Sequence, residues 1–216
     1  MDSGSDMLDT LMRGGFMMVP ILLGSILALT IIIERLWALQ RSHVLPEAFL
    51  RRMGKMLEEG RHSEALSACQ ENDSHIARVM AAGLQARGRA RPEIVESLEL
   101  AGRQETGRLS RWIGALGAIA ALEPLMGLLG TVLGLIESFR EVERLKVVGN
   151  PSVVASGVWQ ALITTAAGLI IAIPTYAMYR YFRSRISNTV MDMEASAFGL
   201  VQQLTLDATS GEEAEA

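Results

Sequence analysis

Cysteine occurs once in the 216 residues, at Cys69, which excludes an internal disulfide and any multi-cysteine metal site. As a lone thiol in a helical stretch, Cys69 reads as a small core residue rather than a reactive nucleophile. The three histidines, His43, His62 and His75, are scattered and do not suggest zinc. No P-loop, Gly-rich phosphate cradle, H-E-x-x-H or G-x-S-x-G motif occurs, so neither an enzyme nor a bound cofactor is expected. A net charge of only −4 gives no reason to expect nucleic acid as a partner. Aromatic residues make up 5% of the chain, whereas half of it is apolar and glycine and methionine are frequent.

Charge itself is missing from three long intervals. The first runs from Gly14 to Ile33, and its 20 residues match a hydrocarbon core of about 30 Å. The preceding stretch, Asp-Ser-Gly-Ser-Asp-Met-Leu-Asp, is acidic and no A-x-A-like site follows, so a cleavable signal peptide is not expected. The second interval, Trp112 to Ile136, is interrupted only by Glu123. The third extends from Val147 to Tyr179, with Gly149-Asn-Pro-Ser152 reading as a loop at its start. The chain therefore reads as an all-α, polytopic membrane protein with three transmembrane helices, its contacts including membrane lipid.

The basic residues orient it. Of the 20 Lys and Arg, 16 lie either between Arg35 and Arg111 or in the group Arg180, Arg183 and Arg185. By the positive-inside rule these parts are cytoplasmic. The expected layout is a periplasmic N-terminus (1–13), a first span (14–36), a cytoplasmic helical region (37–111) and a second span (112–138). A periplasmic connection (139–155), a third span (156–179), a cytoplasmic helix (180–206) and a disordered acidic tail (207–216) follow.

Within the cytoplasmic region, Pro46 can start a helix carrying Phe49, Leu50, Met53, Met56 and Leu57 before Gly60. Ser63–Gln70 reads as a second helix. Asn72-Asp-Ser74 reads as a turn and cap before a third, from about His75 to Ala86. From Pro92 the apolar positions Ile94, Leu98, Ala101, Leu109, Ile113 and Leu116 need no break, which predicts one long helix entering the membrane. Its charged face (Glu93, Glu96, Glu99, Arg103, Glu105, Arg108) is expected to be solvated or to meet a neighbouring subunit.

Two spans carry faces almost bare of side chains. In Glu123-Pro-Leu-Met-Gly-Leu-Leu-Gly-Thr-Val-Leu-Gly-Leu-Ile136, Gly127, Gly130, Thr131 and Gly134 share one helical side. In the third span Gln160, Ala161, Thr164, Thr165, Gly168 and Ala172 cluster likewise, before Pro174. Such faces suit close helix packing or contact with a guest helix in lipid, and both alternatives stand at this point. The threonines can return their hydroxyls to a carbonyl one turn back. Alternatively they line a wet, proton-relaying path, because Thr131 and Thr165 both fall within about 5 Å of the midplane at 1.5 Å per residue.

These segments, together with Ile33-Glu-Arg-Leu-Trp37, Ala77-Arg-Val-Met-Ala-Ala-Gly83, Ala101-Gly-Arg103 and Ala172-Ile-Pro174, resemble the MotA/TolQ/ExbB proton-channel family. The resemblance covers about residues 14–200 and is strongest to the three-span ExbB/TolQ branch. It implies a homopentamer around a central lumen that holds a single-span partner of the ExbD/TolR type. A partner aspartate would pass protons beside Thr131 and Thr165, and a TonB/TolA-like protein is a further candidate partner. Protons are the implied coupling ion, and the bacterial inner membrane is the implied location. Thr164, Gln160 and Glu123 complete the expected proton pathway. Gly127, Gly130, Gly134 and Gly168 are expected to pack helices, and Pro124 and Pro174 to shape them.

Two positions depart from the family pattern. Gln160 stands where glutamate is frequent, and an amide orients water or a partner without carrying a proton. Glu123 stands where a small or hydroxyl residue is expected, about 12 Å from Thr131 along the helix. A carboxyl there either serves a cytoplasmic exit or has a structural role, bonding locally to the carbonyl that Pro124 leaves without its donor.

Overall fold

A computed structural model of the chain describes residues 16–40, 44–145 and 151–215, with side chains described over 16–40, 44–144 and 155–202. Among the described residues seven helices follow one another: α1 (Met18–Ala38), α2 (Glu47–Glu58), α3 (His62–Gln70), α4 (His75–Gln85), α5 (Arg91–Leu109), α6 (Ile113–Leu145) and α7 (Pro151–Glu215). No strand occurs among the described residues. The chain divides into two compact units, one of residues 1–34 and 112–181 and one of residues 35–111 and 182–216. The expected periplasmic N-terminus and the centre of the 139–155 connection lie outside the described residues.

The first unit holds the three apolar helical stretches. α1, the α6 segment and the first part of α7 are each long and apolar enough to cross a membrane. The 21 residues of α1 span about 31 Å at 1.5 Å per residue, which fits the hydrocarbon thickness. α1 begins four residues after the expected start of the span, following a turn at Phe16-Met17, and runs on to Ala38. Both internal prolines, Pro124 in α6 and Pro174 in α7, lie within continuous helix. Pro151 starts α7, so Ser152 is helical rather than part of a loop. α7 also continues through residues 207–215, where a disordered tail was expected.

The uninterrupted helix expected from Pro92 into the membrane is broken. α5 stops at Leu109, and Trp112 adopts a left-handed φ of 67° before α6 begins. The guanidinium of Arg35, itself buried, donates to the Leu109 carbonyl at 3.1 Å. A cation at a helix C-terminus satisfies an orphan carbonyl and complements the dipole. The Leu109, Ile113 and Leu116 side chains are all buried despite the break. Their spacing therefore reads through a break that it cannot reveal.

The second unit is built as its periodicity predicts. Met53, Met56 and Leu57 of α2, Ala65 and Cys69 of α3, and Ile76, Val79, Met80 and Leu84 of α4 are buried. Asn72 Oδ1 accepts from the Ser74 amide at 2.9 Å, and Ser74 Oγ accepts from Ala77 N at 3.3 Å to cap α4. On α4, Gly83 admits Leu98 of α5 and Leu200 of α7; an added Cβ would lie 2.7 Å from Leu98.

One member of the expected solvated face is not solvated. Glu105 is 3% exposed and receives His75 Nδ1–H at 2.6 Å, Arg78 at 2.9 Å and Arg108 at 2.7 Å. Burial alone would raise the Glu105 carboxyl; the hydrogen bonds from Arg78 and His75 outweigh it and hold the group below the ordinary carboxylate value. Burial lowers His75, and the flanking guanidiniums add to that against the pull of Glu105.

Candidate functional site in the three-span unit

The seam between α6 and α7 is built from the small residues. A Cβ on Gly127 would lie 2.9 Å from the Thr164 carbonyl and 3.0 Å from Thr165 Cα. One on Gly130 would lie 2.6 Å from Thr164 Oγ1, and one on Gly134 3.2 Å from Ala161. Farther along, Gly157 faces Ser138, whose hydroxyl occupies the place of the missing Cβ. Without a hydrophobic drive between helices in lipid, such backbone approach is what dispersion and short polar contacts require. All four glycines expected to pack helices, Gly127, Gly130, Gly134 and Gly168, do so inside a single subunit.

Of the two alternatives for the bare faces, the structure therefore takes packing. The bulky residues point the other way: Leu128, Leu129, Val132, Leu133 and Ile136 of α6 are exposed on the isolated chain. So are Trp159, Leu162, Leu169, Ile170 and Ile173 of α7.

The threonines separate into three kinds. Thr164 is 1% exposed, and its hydroxyl returns to the Ala161 carbonyl at 2.7 Å. Thr131, half-buried, returns its own to Leu128 O at 2.6 Å. Only Thr165 reaches across the seam, donating to Gly127 O at 3.0 Å. The pairing of Gly130 with Thr164 and Gly134 with Ala161 places Thr131 level with about residue 163, roughly 3 Å along the axis from Thr165. The two hydroxyls bond to adjacent carbonyls of α6, Leu128 O and Gly127 O, and so lie within a turn of each other. Gln160 is half-buried, one turn from Thr164.

Glu123 is elsewhere. Its side chain is fully buried and lies against Gly24 of α1, where a Cβ would fall on the carboxyl oxygen Oε1. Its backbone carbonyl faces α7, 2.6 Å from where a Cβ of Gly168 would be. The structure brings Thr131 and Thr165 together at the edge of one seam but leaves Thr164 and Glu123 in the interior of the subunit. Sequence reasoning missed Gly24, Arg35 and the Ser138–Gly157 contact. The single glycine amid the bulky residues of α1 was the available signal for Gly24.

A model of the MotA/TolQ/ExbB proton channel family matches residues 71–195. The ExbB-like biopolymer transport protein 1 of Synechocystis sp. is 35% identical over 187 residues, covering 81% of this chain and 69% of that protein. The Tol-Pal system protein TolQ of Pseudomonas aeruginosa is 25% identical, covering 78% and 77% respectively. Among solved structures, that of C. jejuni MotAB shares the fold with a TM-score of 0.51 at 18% identity, covering 86% of this chain and 73% of that one. A three-span helical chain with a glycine-built α6–α7 seam, matched by the family model over more than half its length, belongs to the MotA/TolQ/ExbB proton channel family.

Proposed function

We propose that this chain is the proton-channel subunit of an inner-membrane energy-transduction complex of the ExbB/TolQ type, and not an enzyme. The observation that carries the reading is the seam itself. Thr165 and Thr131 present two hydroxyls within a turn of each other, half-buried, where α6 and α7 meet. Their bonds to Gly127 O and Leu128 O are single, so each oxygen retains capacity to accept from water or from a guest carboxyl.

In this reading five copies surround a single-span ExbD/TolR-like partner whose aspartate takes protons past Thr131 and Thr165. The N-terminus is periplasmic and the C-terminus cytoplasmic. Gln160 orients water or the partner by hydrogen bonding, in place of the carboxyl frequent at that position. Each elementary charge crossing 100 mV releases about 2.3 kcal/mol, so a few protons can drive a conformational step in the partner. The work falls at the periplasm or outer membrane, such as TonB-dependent uptake, or envelope maintenance as in the TolQ branch.

The test is proton uptake into vesicles holding this chain with its single-span partner. Thr131→Val and Thr165→Val are expected to reduce uptake to the partner-free level while the assembled complex still purifies. Wild-type uptake in both variants would discard the hydroxyl relay, and no uptake in the wild-type complex would leave a non-conducting membrane scaffold.

A further inference from the structure

Glu123 is the one charged residue between Trp112 and Ile136, and its surroundings are unusual. Glu123 has 0% exposure, and neither carboxyl oxygen has a hydrogen-bond partner among the described residues. Two glycines on two neighbouring helices make its place: Gly24 leaves the room that the carboxyl fills, and Gly168 lets α7 close on its backbone. No charged residue lies on α1 from Met18 to Ile33 or on α7 from Ala155 to Tyr179. Of the titratable rings on α7, Tyr179 covers Gly117, about 9 Å along α6 from Glu123, and Tyr176 is exposed.

Among the described residues no donor reaches either carboxyl oxygen. Pro124 has no N–H, so the carbonyl of Ala120, one turn earlier on the same face, is without its helical donor. That carbonyl lies one turn back on the same helix, within the reach of a glutamate side chain that carries a proton. A hydrated cation has no room beside Gly24, and a bare hard cation wants more oxygens than one carboxyl offers. A proton on the carboxyl removes the uncompensated charge, and its O–H can turn to the freed carbonyl.

We propose that Glu123, seated against Gly24, is a proton-binding site inside the subunit, separate from the threonine seam, whose release of the proton parts α1 from α6. On release the Glu123 O–H bond breaks, its electron pair stays on the carboxylate, and the proton passes to a water entering the pocket. An ionised carboxyl without a partner in an apolar enclosure is costly, so the charged state requires that water and the space it occupies. Proton occupancy therefore becomes helix spacing. The proposal rests on the membrane-channel reading only for the gradient that the site would sample.

The experiment uses the full chain in phospholipid vesicles without its partner, in a Cys69→Ala background. Nitroxide labels are placed at the exposed positions Ile26 of α1 and Leu125 of α6, with labelled chains diluted among unlabelled ones. Infrared difference spectra and label distances are recorded from mildly acidic to mildly alkaline buffer. A carboxyl band that titrates in the wild type and is absent in Glu123→Gln is expected. With its loss the label distance should grow by about 3 Å, one water diameter, and it should stay constant in Glu123→Gln. Gly24→Ala should show the longer distance even in acid, because its methyl takes the carboxyl's place. No titrating band assignable to Glu123, a band without a change in distance, or an unaltered distance in Gly24→Ala overturns the proposal. Thr131→Val should keep the band; if it also keeps partner-dependent uptake, the relay fails while this site stands.

Discussion

Replacing Gly168 by alanine tests the α6–α7 seam most directly. The added Cβ would lie 2.6 Å from the Glu123 carbonyl oxygen and 3.3 Å from both Glu123 C and Gly127 Cα. Ordinary contact begins at 3.4 Å, so the helices must part by about 0.8 Å, and all three obstacles are backbone. The Thr165–Gly127 hydrogen bond, 3.0 Å long, would stretch to about 3.8 Å and cease to be one. Overpacking costs about 1–3 kcal/mol and the lost bond about 1 kcal/mol, while alanine returns up to about 1 kcal/mol of helix propensity. The expected net loss is about 1–3 kcal/mol, with uptake falling as Thr165 leaves its position. Gly107→Ala on α5 is the control, because a Cβ there meets nothing within 4 Å and should stabilise by about 0.5–1 kcal/mol. Thermal unfolding in detergent and vesicle uptake give the readouts. If Gly168→Ala matches Gly107→Ala in both, the close approach of α6 and α7 is wrong.

The other predictions concern the second unit. Glu105→Gln should lower stability by roughly 2 kcal/mol; this is less than for a wholly buried pair, because Arg78 and Arg108 can rehydrate. The Glu105 carboxyl is held below its unfolded value, so its contribution is complete above that value and disappears as pH falls through the folded one. His75, lowered in the fold, takes its proton more readily when unfolded, so acidification below its ordinary value also destabilises. Denaturation midpoints across the acid range should fall with pH in the wild type, with the lower-pH part of that slope absent in Glu105→Gln. Cys69 is buried and its thiol is pushed up to about 12 by that burial. Alkylation at neutral pH should therefore be negligible until denaturant is added; rapid modification of the folded protein would contradict the packing.

The helices were legible because their apolar periods and caps are local. Met53, Met56 and Leu57 announced α2, and Asn72 through Ser74 announced the start of α4. What was not legible depended on partners distant in sequence. The end of α5 is capped by Arg35, 74 residues away, and buried Glu105 is paired with His75 and Arg78 from another helix. The charged pattern around Glu105 is that of an exposed face, and nothing in its spacing distinguishes the one residue that turns inward. Glu123 is a similar case. Its departure from the family pattern drew attention to it, but the choice between lumen and interior lay with Gly24 on another helix.

The seam also explains why a small-residue face was ambiguous. Packing and lining both ask for the absence of bulk, and in lipid no hydrophobic force decides which surface turns inward. Backbone proximity decides it here: Gly127, Gly130 and Gly134 are occupied by α7, which obliges Leu128, Leu129, Val132 and Ile136 to face outward. Among the residues of this seam, Thr131 and Thr165 are the threonines left half-buried at its edge, beside that outward-facing apolar surface.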